Sequence, residues 1–329
     1  MTRRNILLIA HDSLHPALRR ELTARGLSLR ENRTWQDADR SDPQRILGAY
    51  TWFYEGLRNP LQVRNIHRWL RQHGIPLFTW NQDAPHYLNY TLPTRAWRLY
   101  VAEKMRFFDI YATHTLIDAD RNFADTTVYL PNAADTTRYH LSGHTLAELR
   151  DPSAYDWDVS FFGAMNGNRY KEMRARQDFF SALGDRLHAK GIRFLFREAT
   201  GMSHEAQIQL IQRSRINLNF GASCEYGAPV ASGLPERCYG IPACGGFLLC
   251  DKRIHARDDF TPGGNWAEFD GLDACVARIE YWLENFQEAR SLAERCHTHV
   301  LAQHSYANRA EILHNALLKW HKENAGMAG

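Results

Sequence analysis

Residues 215–251 limit the possible folds of this chain more than any other segment; they read RINLNFGASCEYGAPVASGLPERCYGIPACGGFLLCD. The segment predicts an apolar strand over 216–220, a loop rich in Gly and Pro, a short helix beginning near Leu234, and a second apolar strand over 247–250. Apolar runs this brief on either side of a helix are typical of a parallel strand–helix–strand unit that is buried on both faces. Ligands of such folds lie at the carboxyl ends of the strands, so the loop is a candidate binding site.

The loop and the helix combine groups that suit both a phosphate and a sugar or ribose. Glycine lets backbone amides approach a ligand closely, and a helix N-terminus favours anions. The glycines in question are Gly221, Gly227, Gly233, Gly245 and Gly246. Glu225 and Glu236 are suited to accept hydrogen bonds from neighbouring hydroxyl groups. The alternative is a purely structural turn that happens to be rich in glycine.

Several separated motifs resemble the CgeB-like (spore-maturation-type) glycosyltransferases, a GT-B family. From residue 203 onwards they are INLNF, GLPERCYGIPACGGFLLCD, DDFTPGGNWAEFD, LDACVARIEYWLENFQEARSLAERC and HSYANRAEILHNALL, and upstream they are GIPLFTWNQDAP and WDVSFFG. The resemblance implies an α/β protein with two Rossmann-like doubly wound domains facing across a cleft. It also implies transfer of a sugar from a nucleotide-sugar donor, here expected to be a UDP-sugar, to an acceptor hydroxyl.

The chain departs from this family at one position of the motif. Family members carry a Glu shortly after the Arg that is Arg237 here, whereas this chain has Tyr239 and Gly240. Either Glu236 takes over the contact with the nucleotide ribose or that contact is lost.

Alternation of apolar runs and helical periodicity extends over the whole chain and predicts parallel sheets covered by helices. We expect an acceptor-binding domain over 1–145 and a nucleotide-sugar-binding domain over 146–329, joined by the weakly periodic segment 134–156. The last helix, over 306–322, typically crosses back to the first domain in GT-B proteins. Residues 46–56, ILGAYTWFYEG, are compatible with either a strand or a helix.

The donor diphosphate is expected to meet cations at the ends of strands of the second domain. The turn GAMNGNRYK follows the predicted strand 157–162 and precedes a helix, so amides and a guanidinium converge there. Arginine here would neutralise the charge that develops on the leaving group. Besides Glu225, Glu236, Gly245 and Gly246, the predicted donor-site residues are Gly163, Asn166, Arg169, Arg197, Asn219 and Arg237. Arg169 is alternatively a surface residue in the first turn of a helix.

Candidates for the base that deprotonates the acceptor lie in two loops of the first domain. His11 and Asp12 follow the first predicted strand, and Asp83 follows the strand over 76–80, where the resembling family has an acidic residue before Pro. Asp12 is alternatively a helix cap, and Asp83 a turn residue.

The charge distribution leaves a different function class open. Residues 1–150 hold 20 Lys and Arg against 15 Asp and Glu, and residues 151–329 hold 20 against 22. An arginine-rich first domain with many aromatic residues could bind nucleic acid without chemistry. The aromatic residues are Trp52, Phe53, Tyr54, Trp69, Trp80 and Trp97. A glycosyltransferase acting on modified DNA bases is a further alternative, so the acceptor is open among glycan, protein, small molecule and modified DNA.

Other enzyme classes lack their motifs in this sequence. The first strand is followed by HDSLHP rather than GxGxxG, and neither GxSxG nor GxxxxGK[ST] occurs. The three DxD triplets, at 37–39, 118–120 and 156–158, are interpreted as capping or surface residues, so no metal is predicted. Six scattered cysteines without an export signal favour reduced thiols in the cytoplasm, and no apolar run reaches the length of a membrane span.

Overall fold

The computed structural model describes residues 3–9, 14–32, 42–82, 95–116, 123–168, 171–221 and 232–324. The chain forms two compact units, Met1–Pro131 with Tyr306–Gly329, and Asn132–Ser305. Each unit is built on one parallel sheet with helices on its faces, which confirms the α/β class predicted from the alternating pattern. None of the described helices combines the length and the apolar character needed to cross a membrane.

The first unit contains a six-stranded parallel sheet in the order β2-β1-β3-β4-β5-β6. Its strands are β1 Asn5–Ile9, β2 Ser28–Asn32, β3 Ile46–Tyr50, β4 Leu77–Asn81, β5 Phe108–Thr113 and β6 Ala124–Tyr129. The connections run outwards in both directions from β1 and β3, so the topological switch point lies between these two strands. In the chain, residues 10–13 follow the end of β1 and residues 83–94 come shortly after the end of β4.

Five helices cover the first sheet. They are α1 Pro16–Ala24, α2 Phe53–Arg58, α3 Pro60–Gln72, α4 Arg95–Met105 and, from the end of the chain, α11 Tyr306–Glu323. The ambiguous segment ILGAYTWFYEG contains both predicted elements in sequence, the strand β3 and then the helix α2.

The terminal helix α11 packs on the first unit, although it follows the second unit in the chain. A Cβ atom on Gly48 of β3 would lie 2.8 Å from a methyl group of Leu317, so the glycine lets the helix approach the sheet closely. His321 also contacts the carbonyl oxygen of Leu47 through Nε2 at 2.7 Å. Such buried contacts fix α11 to the sheet of the first unit.

The second unit contains a five-stranded parallel sheet in the order β11-β10-β9-β7-β8. Its strands are β7 Trp157–Phe162, β8 Phe194–Arg197, β9 Ser214–Asn219, β10 Leu248–Asp251 and β11 Ala267–Phe269. Its helices are α5 Lys171–Ala189, α6 His204–Gln212, α7 Arg237–Ala243, α8 Ala256–Asp259, α9 Leu272–Glu284 and α10 Phe286–Gln303. The strands β9 and β10, with α7 between them, form the strand–helix–strand unit predicted from residues 215–251.

The weakly periodic segment 134–156 packs against the core of the second unit. The ring of Tyr139 lies on Gly240, and Leu149 lies beside Gly245. The segment consists of coil and two short 3-10 helices, Glu148–Arg150 and Pro152–Ala154, which explains why the sequence shows no helical or strand period there.

Candidate functional site

Three neighbouring strands of the second sheet end side by side and define its carboxyl edge. They are β7, β9 and β10, which end at Phe162, Asn219 and Asp251. Polar and cationic side chains gather at this edge, as expected for the ligand side of a doubly wound domain.

Arg237, the first residue of α7, reaches back to the end of β7. Its Nη1 donates to the carbonyl oxygen of Phe162 at 2.7 Å, and its guanidinium lies 5.0 Å from the centre of the Phe161 ring. A Cβ atom at position 163 would lie 2.1 Å from the same Nη1, so Gly163 is what allows the guanidinium to lie there. Burial lowers the pKa of Arg237, and its buried Nε has no hydrogen-bond partner among the described residues.

A second arginine, which the sequence analysis did not single out, lies at the same edge. Arg176 of α5 donates from Nε to the carbonyl oxygen of Phe220 and from Nη1 to that of Ala164, both at 2.8 Å. It is 3% exposed, which is rare for an arginine and requires such partners. No local motif marks it, because its role depends on contacts with residues 12 and 44 positions away.

Asp251 connects residues that lie on either side of 222–231 in the chain. It accepts hydrogen bonds from Asn219 Nδ2 at 2.7 Å, from the Gly221 amide at 3.0 Å and from Arg253 Nη1 at 2.8 Å. Arg253 in turn donates from Nε to the carbonyl oxygen of Gly233 at 2.5 Å. The predicted residue Asn219 is therefore part of a network that links Gly221 to Gly233.

Glu236 precedes α7 and carries a buried oxygen, Oε1, with no hydrogen-bond partner in the described parts of the chain. Burial raises its pKa to about 7; Arg138 opposes this shift and Asp135 adds to it. The carboxyl group thus exchanges its proton near neutral pH. In its ionised form it can accept hydrogen bonds from hydroxyl groups of a ligand.

Tyr139 packs on Gly240, one of the two residues that stand where the resemblance implies a Glu. A Cβ atom on Gly240 would lie 3.0 Å from the Tyr139 ring, so even a methyl group would press on that ring. The neighbouring Tyr239 is fully buried and donates its hydroxyl to Asp259. A side chain at position 240 would therefore require the Tyr139 ring to shift. Glu236 is the acidic side chain at the start of this helix.

Most backbone amides of the turn after β7 donate hydrogen bonds to other groups of the protein. The amides of Met165 and Gly167 donate to the side chains of Glu198 and Gln177, and that of Asn168 donates to Asn166 Oδ1. The Gly163 amide donates to the carbonyl oxygen of Arg197 at 3.1 Å. The structure thus offers arginine side chains, rather than these amides, as the groups that could meet an anion.

Comparisons with known proteins agree with this geometry. Residues 152–315 match the family described as glycosyl transferase-like, and this range contains Arg237, Arg176, Asp251 and Glu236. Sucrose-phosphate synthase from Thermosynechococcus elongatus superposes with a TM-score of 0.64 at 11% identity, covering 98% of this chain and 100% of that one. This chain has the GT-B fold, and it is a glycosyltransferase.

Two other similar structures share the fold of this glycosyltransferase. HepE from Anabaena, in complex with UDP, has a TM-score of 0.62 at 12% identity and covers 96% of this chain and 100% of that one. A UDP-forming α,α-trehalose-phosphate synthase from Burkholderia xenovorans has a TM-score of 0.57 at 11% identity, with coverage of 99% and 100%. No curated protein matches the sequence.

Gly245 and Gly246, predicted to contact the donor of the glycosyltransferase, lie between α7 and β10 at the amino end of the strand. Their amides donate to the carbonyl oxygens of Pro242 and Ile241. A Cβ atom on Gly245 would lie 2.8 Å from Leu149, and one on Gly246 would lie 2.5 Å from Ile211. The structure gives both glycines a packing role, which a sequence pattern of Gly pairs cannot distinguish from ligand approach.

The remaining predicted residues fall into two groups. Arg197 is exposed at the end of β8, next to β7 in the sheet. The others lie outside the described residues: His11, Asp12, Asp83, Arg169 and Glu225.

The two aspartates of the third DxD triplet form ion pairs. Asp156 and Asp158, of the third DxD triplet, pair with Arg213 and Arg193 at the amino end of β7. Where the structure describes the chain, no three His, Cys, Asp or Glu side chains are grouped to hold a metal ion. The other two triplets lie in ranges that the structure does not describe.

Proposed function

We propose that this glycosyltransferase takes a sugar from a UDP-sugar bound at the carboxyl edge of the second sheet and transfers it, without a metal ion, to an acceptor hydroxyl. The observation that carries the proposal is the pair of guanidinium groups held there by main-chain carbonyls, Arg237 on Phe162 and Arg176 on Phe220 and Ala164. Preorganised cations at a place where negative charge develops are an effective way to stabilise a transition state.

The proposed reaction transfers the sugar and leaves additional negative charge on UDP. The bond between the anomeric carbon and the β-phosphate oxygen breaks, the acceptor oxygen bonds to that carbon, and UDP leaves with an additional negative charge. Arg237 and Arg176 are assigned to that charge, together with Arg169 and Arg197 and the N-terminus of α5, which follows β7. The proton of the acceptor passes to a base in the first unit, for which Asp83, His11 and Asp12 remain the candidates. Their loops follow β4 and β1, whose carboxyl ends lie at one edge of the first sheet.

Glu236 is assigned to hydroxyl groups of the donor nucleotide, with Asn219 and Glu225 near the same loop. This assignment rests on its buried oxygen, which has no partner among the described residues, and on the packing of the Tyr139 ring against Gly240. Accepting two hydroxyl hydrogens requires the ionised form, so donor binding should strengthen as pH rises through about 7.

UDP is the proposed nucleotide because similar structures contain it. HepE from Anabaena is described in complex with UDP and with UDP-glucose, and the Burkholderia enzyme is named as UDP-forming. We also propose that the protein belongs to the CgeB-like subfamily and that it is located in the cytoplasm. The five described cysteines are buried thiols, which is compatible with a reducing compartment. The acceptor remains open among glycan, protein, small molecule and modified DNA.

Most of the aromatic residues that suggested nucleic-acid binding are not exposed on the surface. Of the six aromatic residues that suggested it, only Trp97 is strongly exposed, at 65%; Phe53, Tyr54 and Trp80 are buried, and Trp52 and Trp69 are half-buried. Aromatic rings in a core cannot stack on bases.

The test is nucleotide release from purified full-length protein with UDP-, GDP-, TDP- and CMP-sugars, with thermal-shift measurements on the same panel. We expect slow UDP release without acceptor and a raised Tm with one UDP-sugar. Absence of both effects with every donor would refute the proposal. EDTA should leave the rate unchanged; a loss that Mn²⁺ or Mg²⁺ restores would overturn the metal-free mechanism alone.

A further inference from the structure

The first unit contains a cationic cavity at the opposite edge of its sheet from the loops assigned to the acceptor. The cavity has a volume of about 670 Å³ and lies between α3, the end of α4 and the start of β6. Its charged lining consists of Arg64, His67, Arg68, Arg71, Arg106 and Asp125. Asp125 is the second residue of β6, so the cavity lies at the amino ends of the strands.

A buried carboxylate fixes one wall of this cavity. Asp109 of β5 is fully buried and accepts hydrogen bonds from the Leu77 amide and from Arg71 Nε, both at 2.7 Å. His67 Nε2 lies 3.1 Å from the same carboxylate. Burial alone would raise the pKa of Asp109, but His67, the Leu77 amide and Arg71 together lower it below its ordinary value. The carboxylate stays ionised and holds His67 and Arg71 in place.

The remaining charges of the cavity do not balance. Asp125 pairs with Arg71, and its other oxygen lies 3.6 Å from Arg106 Nη1. Asp109 and Asp125 therefore offset two arginines. Arg64 and Arg68 are exposed and form no ion pair with any residue that the structure describes. Counting only the residues that the structure describes, the cavity thus carries about two uncompensated positive charges.

Helix stability does not account for the two open arginines. They are four residues apart on α3, where like charges repel each other, with Arg71 three residues further along the same face. Some exposed arginines of the second unit do have carboxylate partners, such as Arg186 with Asp273 at 3.3 Å and Arg257 with Glu268 at 3.1 Å. A ligand that neutralises both guanidinium groups would explain why Arg64 and Arg68 lie side by side at the cavity.

We propose that this cavity binds a phosphate group, distinct from the donor diphosphate, through Arg64 and Arg68 with His67 and Arg106 beside them. Guanidinium groups bind phosphate oxygens in pairs of parallel hydrogen bonds, and two of them match a dianion in charge and geometry. The volume exceeds that of a single phosphate group, so pyrophosphate or a phosphorylated small molecule fits as well.

The experiment is calorimetric titration of full-length protein with inorganic pyrophosphate, with UDP present to occupy the proposed donor site. The double variant Arg64→Gln/Arg68→Gln should bind pyrophosphate at least about tenfold more weakly. The matched control Arg186→Gln/Arg257→Gln removes the same net charge from exposed positions of the second unit and should leave the affinity unchanged. Asp125→Asn should tighten binding, because it frees Arg71 and Arg106.

A second titration with a single-stranded oligonucleotide separates the sources of the phosphate. Oligonucleotide binding that exceeds pyrophosphate binding and weakens in Arg64→Gln/Arg68→Gln would assign the site to a phosphodiester chain; pyrophosphate binding alone would assign it to a free phosphorylated molecule. The proposal is wrong if neither ligand binds, or if the double variant binds both as the wild type does. These comparisons do not depend on whether UDP binds, so they remain informative if the proposed donor is wrong.

Discussion

In the second unit, arginines near the carboxyl edge are fastened to the protein, whereas in the first unit two neighbouring arginines lie exposed beside a cavity. Arg176 and Arg253 are at most 3% exposed and bind main-chain carbonyls, while Arg64 and Arg68 have no carboxylate partner among the described residues. Fixed guanidinium groups cost no reorganisation when charge develops, which suits catalysis. Exposed guanidinium groups lose side-chain entropy when they bind a ligand. This cost weakens binding and suits a ligand that is bound reversibly.

Loss of a carboxylate should affect stability much more at the carboxyl edge of the second sheet than beside the cavity of the first unit. Asp251→Asn would leave Arg253 buried without its carboxylate partner, so we expect a loss of about 3–5 kcal/mol in the free energy of unfolding. Asp125→Asn in the first unit should change it by no more than about 1 kcal/mol, because Asp125 and Arg71 are both exposed. Urea denaturation measures both. Equal losses would show that the two edges do not differ in this way.

Arg237→Ala should reduce the turnover of the UDP-sugar by about 10²–10³-fold, because it removes one preorganised cation from the leaving group. The control is Arg193→Gln, which removes an arginine from the amino end of the same sheet, where Arg193 pairs with Asp158. Equal kcat values for the two variants, both folded by circular dichroism, would contradict the role of Arg237.

Glu236 should make stability depend on pH in the direction opposite to an ordinary ion pair. Its pKa is about 7 when folded and near 4.5 when unfolded, so the folded state binds more protons between these values. The free energy of unfolding should therefore fall by up to about 3 kcal/mol as pH rises from 4.5 to 7. Glu236→Gln should flatten this part of the curve in denaturation experiments. A variant curve parallel to the wild type would refute the assignment.

Gly240→Ala tests the packing that separates this chain from the resembling family. The new methyl group would lie 3.0 Å from the Tyr139 ring, and we expect a loss of about 1–3 kcal/mol in the free energy of unfolding. The double variant Gly240→Ala/Tyr139→Leu should recover part of that loss, which double-mutant analysis of the unfolding midpoints would measure. Full additivity of the two changes would mean that the ring does not limit position 240.

Much of the fold followed from local patterns. The strand β7 begins and ends at the predicted residues, and the last helix ends one residue beyond its predicted range of 306–322. Periodicity could not decide between strand and helix for residues 46–56, because β3 is too short to show its period before α2 begins.

The sequence by itself determined the alternation of short buried strands with helices, and with it two parallel sheets, because the apolar period is a local property of the chain. It also predicted Glu236 and Arg237 as site residues from one motif, and Gly163 from its place after a strand. Only the tertiary structure showed that Gly245 and Gly246 pack in the core and that Arg176 joins Arg237. It also showed that Arg64 and Arg68 lie beside a cavity with no carboxylate partner in the described part of the chain. Those properties depend on which distant side chains meet, and no local pattern records that.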